Sequence, residues 1–141
     1  DHLSVTHILS AKCKCSKRVG RHLEETLRPE FLQETIVIVD GTLPNETELS
    51  KKGFKLSHIS VADLKTQFNL EAAPVLLVSD SSGELKYSGG YKNIDEMDHR
   101  DLEIVSEVKG GSKVVALPVL GCALSPALKT AMDPFEMKYE N

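Results

Sequence analysis

The sequence predicts an α/β protein: a mixed sheet with helices on its faces, followed by a C-terminal extension. Three observations lead there. The runs TIVIVD (35–40) and VLLVSD (75–80) are almost wholly apolar and rich in β-branched residues, as strands covered on both faces are. Val19, Leu23 and Leu27 recur at helical spacing. The order of elements, βαβ and then αββα, implies a sheet that is neither purely parallel nor purely antiparallel.

Residues 5–10, VTHILS, favour a first strand. The helix carrying Val19, Leu23 and Leu27 follows, with Ser16 as N-cap, Cys13 and Cys15 at or just before its start, and Arg28-Pro29 as its end. Gly41 closes the strand at 35–40. A polar stretch with helical character (45–52) leads to KLSHI (55–59), which alternates like a short strand, and Ser60 caps a brief helix to Phe68. Ala73-Pro74 opens the strand at 75–80, Ser81-Ser82-Gly83 turns the chain, and 84–90 returns as the second arm of a hairpin ending at Gly89-Gly90. Residues 95–108 suit a helix burying Met97, Leu102, Ile104, Val105 and Val108, which Gly110-Gly111 terminates. In the tail, 113–117 suits a strand, Pro118 interrupts it, and 125–132 suits a short helix with Pro126 in its first turn. One domain is expected over 1–141, with a core of about 5–108 and an extension of about 112–141.

The chain is large enough for a proper core: 141 residues, 40% hydrophobic and 27% charged. No apolar run nears the roughly 20 residues of a membrane span, and DHLSVTHIL lacks the basic-then-apolar plan of a signal peptide. Opening on Asp1 rather than Met suggests a trimmed product, with an export signal or anchor lost upstream.

Charge is uneven. Lys12, Lys14, Lys17, Arg18 and Arg21 fall between Ser10 and His22 with no acid among them, in a chain of net charge −4. This basic island surrounds Cys13-Lys14-Cys15, while the third cysteine, Cys122, stands in the apolar ALPVLGCALSP. Three cysteines are too few for a disulfide scaffold, and the odd number leaves at least one sulfur outside any intramolecular pair. A thiolate is the reactive form of cysteine, and a helix N-terminus with cations around it favours that form, so Lys12, Lys14 and Lys17 are candidate tuning residues for the pair. The bland alternative is a solvated basic helix face.

Three segments, in this order, resemble the thioredoxin superfamily, especially the bacterial TlpA-like thiol–disulfide proteins. His7-Ile8-Leu9-Ser10-Ala11-Lys12-Cys13 looks like the first core strand running into a redox motif. Ala73-Pro74-Val75-Leu76-Leu77-Val78 looks like the segment holding the family's cis-proline, and Asp80-Ser81-Ser82-Gly83-Glu84-Leu85 like the hairpin after it. The resemblance implies a thioredoxin-like fold and a thiol–disulfide oxidoreductase that exchanges disulfides with protein substrates and a redox partner protein. It implies Cys13 as the exposed attacking thiol, Cys15 as the resolving one, a cis Pro74 opposite Cys13, and an Ala73 backbone that pairs with bound polypeptide. It also implies a bacterial periplasmic setting, exported or tethered to a membrane outside this sequence. No cofactor beyond the redox-active disulfide is expected.

The motif departs from the family's in having one residue, Lys14, between its cysteines and Lys12 before the first. A disulfide closing so small a ring is expected to be strained and easily reduced, which suits an oxidant or isomerase. Cys122 is either a buried inert thiol or a third redox cysteine exchanging with Cys13 or Cys15. Two further readings compete: a copper(I) or zinc carrier, with His7, His22 or Cys122 completing the shell, and a redox-inactive interaction domain. Five clustered cations in a net-negative chain do not make a nucleic-acid surface.

Overall fold

The computed structural model describes residues 2–132. Strands β1 (Leu3–Ser10), β2 (Leu32–Val39) and β3 (Lys55–Ile59) run parallel. The two-residue β4 (Ala72–Ala73) precedes the hairpin β5 (Val75–Ser79) and β6 (Leu85–Gly89), and β5 lies antiparallel to β1. The resulting order, β3-β2-β1-β5-β6, is a mixed sheet, as the element order implied. β4 stays outside it and pairs with β7 (Cys122–Ala123).

The sheet is central because its middle strands are apolar on both faces. Leu3, Val5 and Leu9 of β1 and Ile36 and Ile38 of β2 pack with α1 (Lys14–Glu25), through Val19 and Leu23, and with α4 (Asp101–Lys109), through Ile104, Val105 and Val108. Ile8, Val37, Val39 and Val75 face the other way, against Leu64 of α3 (Val61–Phe68), Ala73 and Leu124. The remaining helices are α2 (Glu46–Lys51) and α5 (Pro126–Met132). The α5 helix starts as its sequence suggests: Pro126 is first, and the Ser125 hydroxyl accepts from the Leu128 N–H at 3.0 Å. Ser60 caps α3 by accepting from Asp63 N at 3.0 Å. Ser60→Ala is expected to cost about 1 kcal/mol in urea unfolding, with no change at the cysteines. Among the described residues no helix is long and apolar enough to cross a membrane.

Four sequence expectations are corrected. The N-cap of α1 is Cys13, not Ser16, because the Ser16 side chain turns inward and its oxygen accepts from Ser10 N at 2.9 Å. The same helix stops at Glu25, short of Pro29, because Thr26 takes an extended backbone and its hydroxyl donates to the His22 carbonyl at 2.7 Å. Leu27 therefore lies past the last turn and is 93% exposed. Helix α4 begins at Asp101 rather than 95, since the preceding loop is tied by Arg100 N to Tyr91 O (2.7 Å) and by the Arg100–Glu96 ion pair, which leaves Met97 exposed. Residues 113–117 form no strand; they belong to an extended strap that crosses the hairpin end, with Gly90 N donating to Leu117 O at 2.9 Å and Leu117 N to the Tyr87 hydroxyl at 3.0 Å. The part of the expected extension beyond residue 132 lies outside the described residues.

Candidate active site

The β1 strand ends at Ser10, a short turn follows, and α1 begins at Lys14, so Cys13 sits where a strand end meets a helix N-terminus. Its thiol donates to the Ala73 carbonyl at 3.6 Å. The Ala73–Pro74 peptide bond is cis. Residues 60 positions apart in the chain thus share one corner of the molecule.

The third sulfur joins them. β7 runs antiparallel to β4 with Cys122 opposite Ala73, and the Cys122 side chain hydrogen-bonds Cys13. Burial pushes the Cys13 thiol up, but hydrogen bonds to Cys122, to the Ser16 backbone and hydroxyl, and to the Cys15 backbone outweigh it and leave the pKa lowered. Donors at the first turn of α1, together with a second thiol, therefore favour thiolate here. Of the lysines, Lys12 reaches Asp40 at 3.2 Å and lines, with Lys14, the same cleft as Cys15 and Cys122, while Lys14 and Lys17 also line a basic cleft with Arg18 and Arg21.

Exposure reverses the order the resemblance implied. Cys13 is 0% exposed, whereas Cys15 is partly exposed, as is Cys122. All three are thiols. Cys15 opens onto two clefts. One, of about 350 Å³, is lined by Ser10, Cys15, Asp40, Cys122 and Leu124 among others; the second, of about 50 Å³, lies between Cys15, Pro74, Tyr91, His99 and Leu120.

Behind the second cleft lies a charged network that sequence reasoning missed. Asp101, fully buried, holds His22 Nε2 and an Arg28 nitrogen, each at 2.7 Å. Arg28 forks onto Glu34 (2.9 and 2.7 Å), Glu34 meets His7 Nε2 at 2.8 Å, and His7 Nδ1 meets the Tyr91 hydroxyl at 2.7 Å. No buried side-chain nitrogen or oxygen among the described residues lacks a partner. His99, tilted against the His22 ring at 4.7 Å, has its pKa lowered by burial and by the His22 charge. The only hints in the sequence were polar residues inside apolar strands, His7 in VTHILS and Glu34 just before TIVIVD.

His7 and His22, considered as metal ligands with the cysteines, spend ring nitrogens on this network instead. Among the described residues no group of three or more His, Cys, Asp and Glu side chains is gathered to hold a metal ion.

No protein-family profile and no curated protein matches the chain. Solved structures do. An uncharacterized conserved protein from Geobacillus kaustophilus aligns with TM-score 0.62 at 12% identity, over 89% of this chain and 79% of that one. A hypothetical protein from Sinorhizobium meliloti aligns with TM-score 0.57 at 16% identity, over 86% and 78%. The N-terminal domain of PilB from Neisseria gonorrhoeae aligns with TM-score 0.50 at 10% identity, over 79% and 78%. At these identities the likeness shows a shared fold.

Proposed function

We propose that this protein is a thiol–disulfide oxidoreductase of the TlpA-like kind, which exchanges disulfides with protein partners through Cys13, with Cys15 as the second thiol of its CxC motif. Ala73 and Pro74 form one wall of the substrate groove, and a redox partner protein resets the thiols. An oxidising compartment such as a bacterial periplasm suits the reaction.

One observation carries this reading: Cys13 sits at a helix N-terminus, its pKa lowered by hydrogen bonds despite burial, against the carbonyl of Ala73. A buried structural cysteine would have its pKa raised. In the reaction the Cys13 thiolate attacks one sulfur of a substrate disulfide, and the other leaves as a thiolate and takes up a proton. The test is the rate at which the reduced full chain opens a peptide disulfide. Wild type is expected to consume the peptide, and Cys13→Ser to leave only the uncatalysed rate. A Cys13→Ser variant as fast as wild type would overturn the proposal, as would thiols inert to the peptide.

A further inference from the structure

The strap formed by residues 112–125 fills the groove in which a substrate of that reaction would lie. Cys122 and Ala123 occupy the β4 edge beside Pro74 by pairing with Ala73 and Ala72. Leu124 N donates to Glu71 O at 2.7 Å and extends this pairing, and the Ser125 hydroxyl donates to the Glu71 carboxylate at 2.8 Å. The approach is too close for side chains. A Cβ on Gly121 would stand 2.0 Å from the Ala73 oxygen and 2.5 Å from Pro74 Cδ, and one on Gly90 would stand 1.7 Å from the Pro118 oxygen.

We propose that this strap is a tethered substrate and that Cys122 is the resolving thiol of Cys13, so that the oxidised protein is joined Cys13–Cys122 rather than Cys13–Cys15. The inference rests on the exchange chemistry proposed above and assigns its second step. Cys13 is the N-cap of α1 and Cys15 its second residue, and side chains two apart on a helix do not face each other. Joining them requires the first turn to unwind. Cys122 needs no such change, since β7 sets it opposite Ala73, whose carbonyl already accepts from the Cys13 thiol at 3.6 Å.

The chemistry balances. Attack by Cys13 on a substrate disulfide leaves a mixed disulfide and one substrate thiol. The Cys122 thiolate then attacks the Cys13 sulfur, the Cys13–Cys122 bond forms, the Cys13–substrate bond breaks, and the second substrate sulfur leaves and is protonated. The substrate disulfide gains two electrons and Cys13 and Cys122 lose them. Substrate and strap use the same β4 edge, so return of the strap both delivers Cys122 and displaces the product. The ladder that must open for this exchange is two residues long.

The test oxidises the reduced full chain with one equivalent of a peptide disulfide, blocks remaining thiols and maps the linkages without reduction. A Cys13–Cys122 linkage is expected. A Cys13–Cys15 linkage alone would overturn the inference and leave the exchange reading standing, whereas thiols that never react would remove both. The lifetime of the Cys13–peptide mixed disulfide gives a second measurement. Cys122→Ser is expected to lengthen it at least about tenfold, and Cys15→Ser to change it by less than about twofold; the reverse pattern would overturn the assignment.

Discussion

Asp101→Ala is expected to lower the free energy of unfolding at neutral pH by about 3–5 kcal/mol, the range for removing one partner of a buried ion pair. The carboxylate is fully buried and holds both His22 and Arg28, and the Arg28 side chain is itself only 7% exposed. Without Asp101, Arg28 keeps Glu34 but loses half of its compensation in a place water does not reach. Burial pushes the Asp101 carboxyl up, but the hydrogen bond from His22 and the nearby charges of Arg28, His7 and His22 hold it well below the usual carboxylate range. Glu34 is lowered by the same balance, with His7 and Arg28 as its partners.

The sign of the pH dependence follows. Groups with depressed folded-state pKa values stabilise above the unfolded carboxylate value of about 4, and that stabilisation is lost as pH falls toward the folded values. Wild type should therefore lose stability steadily below about pH 4, and Asp101→Ala should lose less over the same span. Urea unfolding of both proteins at pH 7 and pH 3 measures this. A gap between them that does not narrow in acid would show that the carboxylate's charge is not what stabilises the fold.

The outline of the fold was legible because it rests on local signals. An apolar run such as TIVIVD has few places to go other than the middle of a sheet, and Ser60 and Pro126 mark helix starts by chemistry confined to one turn. The errors arose where tertiary contacts decide. Ser16 has the composition of a cap, but a buried bond to Ser10 N claims its oxygen, and Leu27 continues an apolar period beyond a helix that Thr26 has already ended. Within the site, the Cys13–Ala73–Pro74 corner was what the family resemblance implied, but which cysteine is covered was not legible. That depends on a strap whose only sequence marks are the glycines at 89–90 and 121, and close approach is a property of what lies opposite them. The His7–Glu34–Arg28–Asp101–His22 network was invisible for the same reason: its members come from four elements and the loop after α1, and no spacing along the chain links them.

Gly90→Ala tests that strap without touching any sulfur. A methyl group there would stand 1.7 Å from the Pro118 oxygen and 2.6 Å from its carbonyl carbon, so either the hairpin end or the strap must move. Gly90 closes a hairpin held by the β5–β6 ladder and by the Tyr87 hydroxyl, which donates to the Gly90 carbonyl at 2.6 Å. The strap opposite has Leu117 as its main anchor there, through bonds to Gly90 and Tyr87. The strap should yield, at an overall cost of about 1–3 kcal/mol. With its cover lifted, Cys13, now 0% exposed, should be alkylated about tenfold faster or more, and protease cleavage after Lys113 should rise with it. Gly83→Ala is the control: it has nothing within 4 Å, but its φ of +88° makes any side chain strained, at about 1 kcal/mol. That variant should lose stability without exposing Cys13. If Gly90→Ala behaves as Gly83→Ala does, then the strap does not cover the thiol, and burial of Cys13 must come from the sheet and α1 alone.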